Sequence, residues 1–385
     1  MNVAIRKETS PHIRRKDSLF RMLLDVIIAL APVSIMAMIA YTWRYLLILL
    51  ISVSTMVAAE IISVLIKNRV PYDGKKHGLK EHLAMGFKAV NVNHIMAPVV
   101  SGIIFALIMP SRSNPEAVIY VATFVGALFG IVIGKLVFGG TGQNIFNPAA
   151  VGMLFAKICF GSRYVYDSTY YVNAVTTSGT PLSALSDVSV EGLPDFLGKF
   201  ANINDSHILS LFLGQTPGVM GEGFKFAILI GMVYLLIRHA ADFRVLVSFF
   251  GTFIILMGVA GIFIAVRVPN ASWHMFMLFQ LFSGGMLFGA VYMLTDPVTM
   301  PINSPGRVMY GMVAATLVVF IRLFGTTYPE GMAFAIVLSN MLAPVLDYHA
   351  WSSSHFTKKK AYFCGGILLL GLIIIILAYA LGGHI

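Results

Sequence analysis

The chain has 385 residues, of which 58% are hydrophobic and only 11% are charged, and its formal net charge is +10. Soluble domains carry about 25% charged residues, so the composition excludes an ordinary soluble protein. It indicates an integral membrane protein. The excess of Lys and Arg is then explained by cytoplasmic loops, which hold such residues in membrane proteins, and no nucleic-acid partner is expected.

Apolar runs along the chain mark the predicted membrane segments, since a spanning helix needs roughly 20 mostly apolar residues. A long polar stretch, 161–222, separates the fifth segment from the sixth. Some of the segments are short or broken by Gly or Pro. The predicted segments are 22–42, 45–66, 94–110, 118–138, 148–160, 224–238, 244–266, 273–294, 308–324, 331–347 and 361–382.

The positions of Lys and Arg predict the orientation of the chain. They concentrate before the first segment, after the second and at two later turns, which alternating crossings place on one side. Cytoplasmic loops hold the excess of such residues, so the N-terminus is predicted inside. The predicted parts are a cytoplasmic N-terminal segment 1–21, a first membrane repeat 22–160, an external loop 161–222, a second membrane repeat 223–347, and a cytoplasmic turn with an extra C-terminal helix, 348–385.

Two pairs of short stretches indicate an internal repeat. Residues 101–110 are similar to 288–297, and residues 136–148 are similar to 323–329. An odd number of crossings separates the members of each pair, so the halves are expected to be inverted, as in many transporters. The predicted fold is an all-α polytopic membrane protein with two inverted five-helix repeats plus an additional C-terminal helix, about 11 transmembrane helices.

The cysteines and histidines argue against metal-centred redox chemistry held by this chain alone. Cys159 and Cys364 each stand alone in an apolar stretch, and the sequence contains no CxxC motif. Iron–sulfur clusters are held by groups of cysteine thiolates. The ten histidines mostly flank the predicted helices and form no obvious axial haem pair.

A glycine-rich loop joins the fourth and fifth segments. Glycine permits positive φ and lets the backbone approach a ligand closely. Irregular backbone at membrane depth persists only where it is buried in protein or lines a cavity. The loop therefore suits a flavin or quinone head or a coupling ion, or it is a re-entrant turn that only packs. Its candidate cofactor-binding residues are Gly139, Gly140, Gly142 and Asn144.

Four carboxylates in or beside apolar segments are candidates for ion coupling: Asp25, Glu60, Asp296 and Asp347. Ionisable groups in a membrane segment are costly and often functional, and carboxylate oxygens suit a hard cation. The competing interpretation is that each one caps a helix or pairs with Lys135 or Lys157. Helix ends let charged side chains reach solvent, which suffices to explain Lys135, Lys157 and Asp347.

A polar loop, Ala174–Ser183, and several further motifs carry a resemblance to a known family. Ordered along the chain, the motifs are Ser10–Arg14, Met22–Pro32, Gly134–Ala149, Phe212–Glu222, Thr295–Thr299, Tyr328–Met332 and Ser339–Asp347. Together they resemble the RnfD/NqrB family of membrane redox subunits, and RnfD most, over about residues 10–350. The last apolar segment exceeds the ten helices usual in that family.

The resemblance implies a covalent flavin in the polar loop. In the family, a threonine just before Pro-Leu carries FMN through a phosphodiester bond, which here is Thr180, beside Ser178 and Gly179. The family loop usually has aspartate and alanine where this chain has Ala174 and Gly179, so Thr177 is the second candidate. Related subunits also hold riboflavin.

The resemblance further implies a subunit of an ion-translocating electron transport complex, not a complete enzyme. The expected complex is of the Rnf type, a ferredoxin:NAD oxidoreductase coupled to Na⁺ or H⁺ transport. The alternative is an NqrB-like subunit of a Na⁺-translocating NADH:quinone oxidoreductase. Expected partners are other membrane and peripheral subunits, a flavin transferase and lipid, in a bacterial or archaeal plasma membrane. A solute channel or carrier without a redox centre, or a structural anchor, is the alternative of another class.

Overall fold

The computed structural model of the protein describes residues 19–67, 88, 90–166, 180–186, 192–193, 196, 211–214, 216–268, 271–325, 330–348 and 356–380. These residues are almost entirely helical. Each predicted apolar segment overlaps a helix of this described part. The helices are α1 (Leu19–Lys67), α2 (Val92–Ile108), α3 (Ala117–Ile131), α4 (Pro148–Phe160), α5 (Pro181–Ser186), α6 (Lys225–Ile237), α7 (Phe243–Arg267), α8 (Trp273–Phe282), α9 (Met286–Gly289), α10 (Ser304–Phe324), α11 (Met332–Leu346) and α12 (Lys358–Ala380).

The first helix is long enough to cross a membrane twice. At 1.5 Å per residue, its 49 residues extend for about 74 Å, against a hydrocarbon core of about 30 Å. Its backbone leaves helical geometry at Thr42, where φ is 51° and ψ is −127°. This break divides α1 into two arms, which correspond to the predicted segments 22–42 and 45–66.

The described helices differ in their ability to span a bilayer alone. Five helical spans among the described residues are long and apolar enough to cross a membrane. Helices α8 and α9 form a sixth candidate only if they are counted as one span across a bend of 57°. Three others, α2, α6 and α11, are apolar but have 10–17 residues. Long apolar helices beside short and broken ones make the chain an all-α polytopic membrane protein, as the sequence predicts.

Small residues let neighbouring helices approach each other closely. Ser52 of α1 donates a hydrogen bond of 2.8 Å to the carbonyl of Gly102 on α2. A Cβ atom on Gly102 would lie 2.9 Å from the Cα atom of Val53. Lipid is as apolar as a side chain of Leu, so membrane helices associate through such close packing and hydrogen bonds rather than through the hydrophobic effect.

One local arrangement, a π-helical turn followed by a loop and an asparagine-capped helix, occurs twice. Helix α3 ends in a π-helical turn, Val132–Leu136, and after a loop Asn147 caps α4. Helix α9 likewise ends in a π-helical turn, Ala290–Leu294, and Asn303 caps α10. The two units touch, because the Asn147 amide donates to the Met293 carbonyl at 3.4 Å. The structure thus matches the turn Val132–Leu136 with the turn Ala290–Leu294, whereas the sequence similarity matched residues 136–148 with 323–329. The inverted repeat stays a prediction.

The last helix packs against the second half of the bundle. Leu256 of α7 lies 2.6 Å from where a Cβ atom on Gly371 of α12 would stand. The guanidinium of Arg267 lies 5.6 Å from the ring centre of Tyr379. The other side of α12 exposes large apolar residues such as Leu369 and Ile376, which suits a helix in contact with lipid.

Candidate functional site

The glycine-rich loop between α3 and α4 is a tight turn that only glycine can form. Its backbone has φ angles of 132° at Gly139, 97° at Gly140 and 87° at Gly142. Side chains other than hydrogen are strained at such angles. A Cβ atom on Gly139 would also overlap the side chain of Gln143. Lys67 Nζ donates to the Gly139 carbonyl, which fixes the turn against the end of α1.

A buried ion pair lies directly beneath this loop. Lys135 Nζ and Glu60 Oε2 are 3.2 Å apart, with side-chain exposures of 4% and 2%. The hydroxyl of Thr141 donates to Glu60 Oε1 at 2.9 Å. The sequence predicted that Lys135 would reach solvent at a helix end, and this is wrong: it lies on the π-helical turn and is buried. Glu60 thus pairs with Lys135, as the competing interpretation of that carboxylate proposed.

A cavity of about 90 Å³ lies between the start of α1, the glycine-rich loop and the loop after α9. Its polar lining includes Lys135, Asn144 and Asp296, and Gly142 contributes backbone. The Asn144 amide also donates to the Phe146 carbonyl at 3.2 Å. The cavity thus offers an ammonium, an amide and a carboxylate on an otherwise largely apolar wall, which are groups that can hydrogen-bond the polar edge of a ring. Its volume is below the roughly 300 Å³ of ordinary ligand pockets, so it does not enclose a whole flavin ring.

Two of the candidate carboxylates hold the loop between α9 and α10. Asp296 Oδ1 accepts from the Val298 amide at 3.1 Å. Asp347, at the C-terminal end of α11, accepts from the Ile302 amide at 2.8 Å and from the Asn303 side chain at 2.6 Å. These contacts give Asp347 a clear anchoring role, whereas Asp296 also faces the cavity.

The fourth carboxylate, Asp25, joins α1 to α6. It accepts from the Tyr234 hydroxyl at 2.9 Å and from Arg238 Nε at 3.2 Å. The side chain of Arg238 is 44% exposed, so this pair lies at an edge of the bundle. All four predicted carboxylates therefore have protein partners. Among the described residues, no three His, Cys, Asp or Glu side chains come together as a metal site.

The predicted attachment residue, Thr180, precedes the short helix α5. It is 4% exposed, and its hydroxyl oxygen accepts from the Ser183 amide at 3.3 Å. The Thr180 hydroxyl also donates to Ser183 Oγ at 3.3 Å. An ester at this oxygen would keep a lone pair for the cap but would lose that donated bond. The other predicted loop residues, Thr177, Ser178 and Gly179, lie outside the described residues.

A second group of buried charges lies near this segment. Its glutamates are Glu222, just before α6, and Glu330, just before α11, and Lys157 Nζ lies 3.4 Å from Glu330 Oε2. Both glutamates belong to motifs that carry the family resemblance, but sequence reasoning did not select them as site residues. The sequence does contain a feature that marks them: each glutamate directly precedes a glycine in a short non-helical segment just before an apolar helix.

Comparison with known proteins agrees with this architecture. The model of the NQR2, RnfD, RnfE family matches residues 6–355. The NqrB protein of the Na⁺-translocating NADH-quinone reductase of Chromohalobacter salexigens is 32% identical over 250 residues, which cover 65% of this chain and 57% of that protein. The NqrB protein of Neisseria meningitidis serogroup A is 30% identical over 264 residues, which cover 68% of this chain and 61% of that protein.

The chain thus spans about three fifths of the length of these relatives. The family match covers most of the chain and includes the glycine-rich loop, Thr180 and both buried charge groups. This chain belongs to the NQR2, RnfD, RnfE family.

Proposed function

We propose that this chain is a membrane flavoprotein subunit of a cation-translocating electron transport complex, of the NqrB type. The family match across residues 6–355 supports a membrane subunit of this class but does not distinguish its members, so the similarity to the named relatives carries the NqrB type. The relatives from Chromohalobacter and Neisseria are NqrB proteins of Na⁺-translocating NADH-quinone reductases. These relatives favour the NqrB-like subunit, which is the alternative drawn from the sequence. The opening motif Ser10–Arg14 is the feature that supports the Rnf type.

FMN bound covalently to Thr180 would supply one-electron transfer within the membrane. The hydroxyl of Thr180 supplies the point of attachment, and Pro181 and Leu182 begin the helix that orients it. Leu182 is buried, at 2% exposure, so this helix is anchored in the bundle rather than free at its surface. Other subunits would supply the nicotinamide site, and a flavin transferase would make the phosphodiester bond.

A second, non-covalent flavin, such as riboflavin, or a quinone head would place only its polar edge in the cavity beside the glycine-rich loop, since about 90 Å³ does not hold a whole ring system. Gly142 and Asn144 line this cavity, whereas Gly139 and Gly140 shape the turn that presents them. The ammonium of Lys135 would donate to a ring carbonyl while Glu60 balances its charge. In the NqrB type the transported ion is Na⁺, and Asp296 is the one candidate carboxylate that faces the cavity.

The covalent flavin is tested with single substitutions. Thr180→Val protein, coexpressed with a flavin transferase, should lose its in-gel flavin fluorescence and keep its size-exclusion profile. The matched control is Thr177→Val, which should keep the fluorescence, and Thr180→Ser keeps a hydroxyl at the same position. Fluorescence that survives in Thr180→Val but disappears in Thr177→Val would move the attachment to Thr177. Absence of flavin from the wild-type protein would favour a channel, carrier or anchor.

The type of complex is tested with the assembled subunits. An NqrB-type complex oxidises NADH with quinone and responds to Na⁺. An Rnf-type complex instead reduces NAD⁺ with reduced ferredoxin. Measuring both reactions on one purified preparation assigns the type, and ferredoxin-dependent NAD⁺ reduction without quinone reduction would overturn the NqrB assignment.

A further inference from the structure

Two buried glutamates that lie apart from the glycine-rich loop meet at one cavity. Glu222 is 4% exposed and Glu330 is 7% exposed. Both line a cavity of about 40 Å³, a space sufficient for about one or two water molecules. Much of the remaining wall is apolar and includes Ile108, Met153 and Met332.

Each glutamate has one satisfied carboxylate oxygen and one without a partner. The Val219 amide donates to Glu222 Oε1 at 3.2 Å, and Lys157 Nζ lies 3.4 Å from Glu330 Oε2. Glu222 Oε2 and Glu330 Oε1 are buried and have no hydrogen-bond partner in the part of the chain that the structure describes. A buried carboxylate oxygen without a donor is costly, so these two atoms indicate a missing proton or ligand.

The broken helix α8–α9 makes room for both side chains. At the break, a Cβ atom on Gly285 would lie 3.0 Å from Glu222 Oε2, and one on Gly284 would lie 3.6 Å from Glu330 Cγ. Membrane transport proteins often place ion and proton sites at such interrupted helices. Gly285 therefore leaves room for Glu222 Oε2, whereas a Cβ atom on Gly284 would be in ordinary van der Waals contact with Glu330.

The basic groups around the pair do not reach the free oxygens. Lys157 faces Glu330 from α4, Lys225 faces Glu222 from α6, and Arg322 approaches from α10. Lys225 Nζ donates to the backbone carbonyls of Glu222 and Gly284. Arg322 donates to Gln280 and to the Ser283 carbonyl.

The composition of the cavity decides between a metal cation and a proton. Hard metal cations such as Ca²⁺ and Mg²⁺ take about six or more oxygen ligands. Among the described residues, two carboxylates are the only charged side chains that line this cavity, and three basic groups surround the pair and oppose a further cation. A proton needs only a carboxylate oxygen. We propose that Glu222 and Glu330 form a proton-binding carboxyl pair, which holds one proton in the cavity at the α8–α9 break.

The pair is close to the predicted flavin segment. Leu182, two residues after Thr180, lies 3.8 Å from the Cβ position of Gly284, the same position that Arg322 and Glu330 approach. Negative charge added nearby favours protonated carboxyls through Coulomb repulsion. This link to the flavin rests on the proposed function. Binding of the proton by the pair does not depend on it.

Infrared difference spectroscopy during a pH titration tests the pair in the purified full-length protein. Protonated carboxyls give a C=O band distinct from that of carboxylates and shifted in D₂O. We expect one such titrating band, lost in both Glu222→Gln and Glu330→Gln. The control is Glu116→Gln, which removes a carboxylate that pairs with Arg44 at 3.1 Å and is 47% exposed, and this variant should keep the band.

Each outcome decides the proposal. Persistence of the band in both glutamine variants would overturn the proposal. A band whose intensity changes with the Na⁺ concentration at constant pH, and not with pH, would also overturn it. If a glutamine variant does not fold, the corresponding Asp variant should retain a titrating band at a shifted pH midpoint. The same titration in Thr180→Val protein separates the two proposals, because the pair should keep its band in the absence of covalent flavin.

Discussion

The two buried charge groups of this protein differ in how completely their carboxylates are satisfied. At the glycine-rich loop, Glu60 Oε1 accepts from the hydroxyl of Thr141. Glu60 Oε2 makes no hydrogen bond among the described residues, but the ammonium of Lys135 lies 3.2 Å from it and balances its charge. At the α8–α9 break, Glu222 and Glu330 each leave one oxygen without a donor among the described residues. A carboxylate whose charge is balanced by an adjacent ammonium is suited to hold a loop in place, whereas carboxylates with an oxygen that faces neither a donor nor a cation are suited to bind and release a proton.

The backbone at each place accounts for this difference. The π-helical turn Val132–Leu136 carries Lys135 inward, so that its ammonium reaches Glu60. At the α8–α9 break Lys157 pairs with one oxygen of Glu330. The other two basic side chains are occupied by backbone carbonyls, because an interrupted helix leaves carbonyl groups without helical partners. Arg322 and Lys225 bind such groups, and the carboxylates keep their free oxygens.

Removing the lysine of the charge-balanced pair should give the largest loss of stability. Lys135→Met leaves Glu60 buried without the ammonium that lies 3.2 Å from its Oε2 atom, and breaking a buried pair from one side costs about 3–5 kcal/mol. The free energy of unfolding, measured by denaturant titration in mild detergent, reports this loss. The double variant Lys135→Met with Glu60→Gln should lose less than Lys135→Met alone, because no charge is then left unpaired. Equal losses would show that Glu60 and Lys135 are not coupled.

A glycine substitution in the loop should have an intermediate effect. Gly139→Ala forces a side chain into φ of 132° and against Gln143, and strained backbone of this kind costs about 1–3 kcal/mol. The same denaturant titration measures it. Gly251→Ala on α7 is the matched control, because apart from its chain neighbours and the adjacent backbone of its own helix no atom lies within 4 Å of its Cβ position. The control should be neutral or stabilising by up to about 1 kcal/mol, since Ala favours helix. A loss in Gly251→Ala as large as in Gly139→Ala would contradict the strain argument.

The fold was largely predictable from the sequence, because apolar runs determine where membrane helices form. Every predicted segment overlaps a described helix, and the polar loop before Pro148 adopts the positive φ angles that its glycines suggest. Side-chain partners were less predictable, since they depend on how helices pack. The inward position of Lys135 follows from a π-helical turn, and the meeting of Glu222 with Glu330 joins residues more than 100 positions apart.

The edge pair of Asp25 and Arg238 should show the smallest effect on stability. Arg238 is 44% exposed although the Asp25 side chain is only 10% exposed, so water screens the pair from the arginine side and its contribution should be about 1 kcal/mol or less. Asp25→Asn keeps an acceptor for the Tyr234 hydroxyl, so the denaturant midpoint should move little. In the assembled complex, the same variant tests the ion-coupling hypothesis: a normal transport rate per complex, with unchanged cation dependence, would remove Asp25 from the coupling site. A stability loss comparable with that of Lys135→Met would instead show that this pair is as desolvated as the one beneath the glycine-rich loop.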